Sequence, residues 1–135
     1  MKKLIFIFLI FATSSLHAEW KYISTSKDSG EKFYIDTKTL KKVDGYIYFW
    51  NLIELPKAVE FSETDSIKSM QTYNQVDCKF PKSMAVSRYI FDGSMGNGKL
   101  ISAPMPDYIL NTWEYPPPES SFSHMLTYVC DLIIN

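Results

Sequence analysis

The chain has 135 residues, with 14 Lys and Arg against 15 Asp and Glu, and 46% of it is hydrophobic. Neither charge sign forms a long block, which argues against a nucleic-acid partner, since such a partner calls for a basic stripe. The length suits a single domain with one core.

Residues 1–18 read as an export signal. Lys2 and Lys3 form a short positive region, Leu4–Ala12 an apolar stretch, and Thr13–Ala18 a polar, small-residue run. Cleavage is expected between Ala18 and Glu19. Leu4–Ala12 falls far short of the ~20 apolar residues that span a bilayer. Ala18 and not a cysteine stands at the cut, so no thiol is there to lipidate. The expected product is exported, with no lipid anchor and no membrane span, and sits in the periplasm, on the cell surface or outside. The domain left, Glu19–Asn135, has 12 basic residues against 15 acidic ones, a formal charge of −3. The whole chain has nine Tyr, nine Phe and three Trp, residue types that favour pleated surfaces.

Glu19–Ser24 alternates, with Trp20 and Tyr22 on one face, and reads as a first strand. Thr25–Glu31 is a turn rich in Ser, Asp and Gly, and Lys32–Asp36 a short second strand. Asp36 is placed to cap Thr37–Leu40, because its carboxylate can accept from backbone N–H groups just downstream. Asp44-Gly45 is a strong turn signal. It launches Tyr46–Leu55, with Tyr46, Tyr48, Trp50 and Leu52 on one face and Ile47, Phe49, Ile53 and Leu55 on the other. Apolar character on both faces marks a central strand. Pro56 is expected to end it. Lys57–Asp65 then reads as a solvated loop, whose Glu60, Glu63 and Asp65 are too few oxygen ligands for calcium.

Ile67–Cys78 is a long candidate strand with Met70, Val76 and Cys78 on one face and Gln71, Gln75 and Asp77 on the other. A helix is the rival reading. Lys79–Pro81 turns the chain and Lys82–Phe91 returns as a strand. Asp92–Gly98 is a glycine-rich turn without the spacing of a phosphate cradle. Lys99–Ala103 is a short edge strand. Pro104 and Pro106 open a stiff crossover that runs through Trp113 to Pro116–Pro118. Ser120 or Ser121 then caps a helix, in which Phe122, Met125, Leu126, Val129, Cys130 and Ile133 form one apolar stripe.

Two cysteines in an exported chain point to one disulfide, Cys78 to Cys130. Cys78 faces the apolar side of its strand and Cys130 the apolar stripe of the helix, so the bond would staple the helix to the sheet. A free thiol pair or a metal site is the rival. It has no CxxC and one histidine after residue 18, His124, to work with.

The ordered set of short pieces is similar to the surface-adhesin protein E family of small exported bacterial proteins. The pieces are Trp20-Lys21-Tyr22-Ile23, Tyr34-Ile35-Asp36 with Thr39-Leu40, Trp50 and Val76-Asp77-Cys78. Met95-Gly96-Asn97-Gly98, Trp113-Glu114-Tyr115, Pro117-Pro118-Glu119-Ser120 and Tyr128-Val129-Cys130 complete it. The resemblance implies an α+β fold, a six-stranded antiparallel sheet with a C-terminal helix tethered to one face by a disulfide. The count of strands along the chain agrees. The family's founding member is a surface lipoprotein that binds host extracellular-matrix and plasma proteins, so the resemblance implies a protein partner of that kind. The chain departs from it in having no lipidation cysteine at the cut.

Nothing in the chain suggests an enzyme. His124 is expected on the polar side of its helix, the serines have no matching base, and Asp36, Asp77 and Asp92 suit turns. No cofactor or metal is expected. As a binding module the chain offers Tyr46, Tyr48 and Trp50 as a docking surface, unless they are simply core. Its sheet edges offer pairing with a second copy, a homodimer, or with a partner strand. The expected function is a non-enzymatic exported binding domain, adhesin-like by resemblance. The alternative is a periplasmic accessory protein of the cell envelope with no host ligand.

Overall fold

The longest strand, β4 (Tyr46–Glu60), is the spine of an antiparallel sheet. The structure is a computed structural model and describes residues 18–101 and 108–134. Residues 1–17, which make up most of the expected export signal, 102–107, where the expected edge strand ends and the expected crossover begins, and 135 lie outside the described residues. β2 (Lys32–Asp36) and β3 (Lys41–Val43) both pair with β4, so they lie end to end along it. β1 (Trp20–Thr25) flanks β2, and on the other side β5 (Ser66–Asp77), β6 (Lys82–Phe91) and β7 (Leu100–Ile101) follow in order. A short β8 (Trp113–Glu114) pairs with β6, and the chain closes with helix α1 (Ser121–Ile134).

The expected α+β architecture holds, with six strands along the main path and one C-terminal helix. Two short strands were not expected. β3 forms because Asp44 (φ 51) and Gly45 (φ 83) both take left-handed backbone, closing a two-residue hairpin with Val43 opposite Tyr46. β8 lies inside the segment read as a crossover, where Trp113 pairs with Met84.

Pro56 does not end its strand. β4 runs through it to Glu60, and the pairing with β5 jumps from Glu54–Ser69 to Val59–Ile67 across a bulge. Proline is tolerated there because a bulge demands no ladder donor. The Lys68 ammonium donates to the Leu55 carbonyl at the break and pairs with Glu54 at 3.1 Å. The polar loop is therefore shorter than expected, and Lys99 fastens it by contacting Asp65 Oδ1 at 2.7 Å.

Cross-strand partners share a face, so the register sorts the sheet into two sides. On the inner side Phe33, Ile35, Ile47, Phe49 and Val76 pack against Met125, Leu126 and Val129 of α1. Each such side chain contributes roughly 1.5–3 kcal/mol on burial. Toward β6 the inner side turns polar. Asn74 donates to Asn51 Oδ1 at 2.7 Å, and Arg88 donates to Thr72 Oγ1 at 3.0 Å.

Ser120 caps α1, its hydroxyl accepting the Ser123 N–H at 3.1 Å. Cys130, one turn from the end, bonds Cys78 just past β5, with the Cα atoms 5.8 Å apart. The bond closes a separation of 52 residues. In the chain-entropy model that is worth about 4 kcal/mol, comparable to the net stability of a small domain.

Candidate partner-binding face

The outer side of the sheet, opposite α1, carries an aromatic lane. Register puts Tyr48 beside Gln75, Trp50 beside Tyr73, and Leu52 between Tyr34 and Gln71. Tyr89 of β6 pairs with Gln71, and Trp113 of β8 with Met84. The rings touch in sequence. Tyr48 stacks on Tyr73 with centroids 6.0 Å apart, Trp50 lies 5.0 Å from Tyr73, and Trp50 stacks on Tyr89 at 5.7 Å. Tyr46 meets Trp113 at 5.8 Å, and Tyr22 meets Tyr34 edge-on at 5.7 Å.

Tyr46, Tyr48 and Trp50 all lie on this face, half-buried, while Ile47 and Phe49 between them are buried on the inner side. Tyr89 is 45% and Tyr22 51% exposed. The three residues expected to dock a partner are therefore part of a larger set. Tyr73, Tyr89, Tyr34 and Trp113 were missed as its members. For Tyr73 the signal was present, since simple alternation puts it with Gln71 and Gln75.

One end of the face is built up by the glycine-rich turn. Glu54 Oε2 accepts the Met95 N–H at 2.8 Å, and Ser69 Oγ donates to the Gly93 carbonyl at 2.6 Å while accepting from the Gly96 N–H at 2.9 Å. Burial pushes the Glu54 carboxyl up, but the Met95 N–H, the Ser94 side chain and Lys68 outweigh it and hold the group below its ordinary value. Gly96 has φ +74, and a Cβ there would meet the Gln71 amide. Only glycine lets the turn lie this close.

A cation covers one of the rings. Lys82 sits 4.9 Å from the Trp113 centroid, an arrangement that attracts charge to the ring face. Between Trp20 and Trp50 opens a cleft of about 220 Å³, lined also by Ala18, Asp36, Lys38, Thr39 and Gln71. A second groove, about 580 Å³, lies between α1 and Pro116 and Pro118, with the disulfide in its wall.

The expected turn carboxylates serve turns. Asp36 accepts the Lys38 N–H, Asp77 the Lys79 N–H and Asp92 the Lys99 N–H. His124 is exposed on α1. Among the described residues no cluster of His, Cys, Asp and Glu is arranged to hold a metal. None of the described helices is long and apolar enough to cross a membrane.

Comparison with known proteins matches residues 20–131 to the model of one family, surface-adhesin protein E. Its description is that of an adhesin and not of an enzyme. No curated protein matches. Among solved structures, crystal form II of Haemophilus influenzae protein E superposes with a TM-score of 0.66 at 16% identity, covering 84% of this chain and 90% of that one. A second structure of the same H. influenzae protein gives 0.63 at 16% identity, over 82% and 84% of the two chains. Protein E from non-typeable H. influenzae gives 0.61 at 15%, over 87% and 80%. At such identities these structures speak for the fold, while the family model spans nearly the whole described chain. The chain belongs to the surface-adhesin protein E family.

Proposed function

We propose that this protein is a non-enzymatic, exported bacterial binding domain whose outer aromatic face takes a protein partner, in the manner of an adhesin. One observation carries the reading. Trp50, Tyr48, Tyr73 and Tyr89 form a contiguous lane of touching rings on the side of the sheet that α1 leaves open. Half-exposed Trp and Tyr offer large contact area at low entropic cost and are enriched at protein interfaces. The family description, a surface adhesin, supports a protein partner, and the resemblance implies a host protein of the extracellular matrix or plasma.

Export follows from cleavage between Ala18 and Glu19, which remains part of the proposal. The runner-up is a periplasmic accessory protein, favoured by Glu19, and not a cysteine, standing first after the expected cut. Protease shaving of intact cells, probed with an antibody to the domain and with a lysed-cell control, separates the two. Loss of signal from intact cells supports the adhesin reading. Protection, with release on osmotic shock, assigns the periplasmic one.

A further inference from the structure

Asp36 ends β2 with its carboxylate inside the protein, the residue being 2% exposed. Three donors reach it. Oδ1 accepts the Lys38 N–H at 3.0 Å and the Glu19 N–H at 3.3 Å, and Oδ2 accepts the Thr39 hydroxyl at 3.0 Å. Two of these hold the corner between β2 and β3. The third comes from 17 positions upstream, at the first residue of the expected mature chain. Among the described residues, no lysine or arginine forms an ion pair with Asp36. A buried carboxylate held by neutral donors alone is a costly arrangement, and a nearby cation relieves it.

That cation is latent in the Glu19 nitrogen. We propose that Asp36 is a built receptor for the mature chain's own α-ammonium group, completed by removal of the signal segment. The inference rests on cleavage after Ala18. In that step a signal peptidase adds water across the Ala18–Glu19 amide. The C–N bond breaks, Ala18 departs as a carboxylate, and the Glu19 nitrogen becomes an ammonium. The atom beside Asp36 thereby changes from a neutral single donor to a positive group with three N–H bonds. Charge-assisted contacts of this kind are about twice as strong as neutral ones.

The surroundings suit that change. Trp20 pairs with Asp36 at the start of the β1–β2 ladder, so the Glu19 nitrogen cannot slide away without shifting β1. The Glu19 side chain is tied to Lys38 at 3.3 Å. Ala18 itself lines the cleft between Trp20 and Trp50, so its departure opens room at the nitrogen. The precursor lacks the ion pair and the released domain has it. The edge strand β1 is then clamped only after export, when a fully stable fold no longer hinders passage.

The test compares three forms of the domain: one released from a fusion so that it begins at Glu19, the same chain acetylated on its α-nitrogen, and one beginning at Ala18. Each is made with Asp36 and with Asp36→Asn. Acetylation and the one-residue extension are each expected to lower Tm by roughly 4–8 °C with Asp36 present, and to change nothing in Asp36→Asn. Should Asp36→Asn fail to fold, the α-amine of the Asp36 form provides a second reading, reacting several-fold more slowly with an acylating reagent in the folded than in the urea-unfolded chain. Equal Tm for the free and acetylated forms, or an amine equally reactive folded and unfolded, overturns the proposal. The intact mass of the exported protein tests the cut separately. A start other than Glu19 overturns both readings, whereas a Glu19 start with equal melting temperatures overturns the capture alone.

Discussion

Trp50 and Tyr89 stack with ring centroids 5.7 Å apart and planes 20° from parallel, although β5 runs between their strands. The contact joins β4 to β6 over the outer surface of the strand between them. It makes the open side of the sheet a continuous aromatic surface instead of a scatter of rings. The opposite side owes its order to burial under α1. Substitutions on the two sides should therefore differ sharply in cost.

Tyr89→Ser removes a ring that is 45% exposed and should cost under about 1 kcal/mol. Phe49→Ala removes a fully buried ring on the inner side and should cost about 3–5 kcal/mol. Urea unfolding of the two variants measures the contrast.

Replacing both Cys78 and Cys130 by serine should lower stability by about 4 kcal/mol, the loop-closure value for their separation. Reduction of the native protein with a thiol should give a similar drop in the urea midpoint. A loss below about 1 kcal/mol would show that α1 docks by packing alone.

Acid should loosen the glycine-rich turn through Glu54. The folded-state pKa of this group lies below its ordinary value of 4.5. Its contribution is therefore fully present above that value and is lost as pH falls through the lower, folded one. The stability difference between the native protein and Glu54→Gln should be constant from neutral pH down to about 5 and shrink below the ordinary glutamate range. Urea melts across that window read it directly, and a difference independent of pH would contradict the assignment.

Gly45→Ala and Gly96→Ala separate strain from contact. Both glycines have positive φ, but a Cβ at Gly45 meets nothing within 4 Å while one at Gly96 meets Gln71. Gly45→Ala should cost about 1 kcal/mol from backbone strain. Gly96→Ala should cost more, and should shift the Gln71 amide signals in an NMR spectrum.

What could be read from the chain alone was mostly local. The apolar stripe Phe122–Ile133 and the facing of Cys78 and Cys130 are periodic signals, and the disulfide follows from them together with the oxidising compartment. Asp44-Gly45 announced a turn, but the strand before it, Lys41–Val43, is exposed throughout and so carries no hydrophobic pattern. Pro56 misled because a proline normally closes a strand, and only the tertiary contacts of Lys68 explain why this one sits in a bulge. The aromatic face was legible along β4, where Tyr46, Tyr48 and Trp50 alternate with core residues. Its extension to Tyr89 and Trp113 depends on register between distant strands, which no local pattern reports.

The most direct measurement is binding of the domain beginning at Glu19 to a panel of immobilised host matrix and plasma proteins. Native protein is compared with the double variant Tyr48→Ser, Tyr89→Ser, and with Leu132→Ser on the exposed side of α1 as a control. The outer-face reading predicts that at least one host protein is retained. It predicts affinity weakened by at least about tenfold in the double variant, with its melting temperature close to native, and no change in the control. Retention of no host protein, or equal affinity in all three chains, would contradict it.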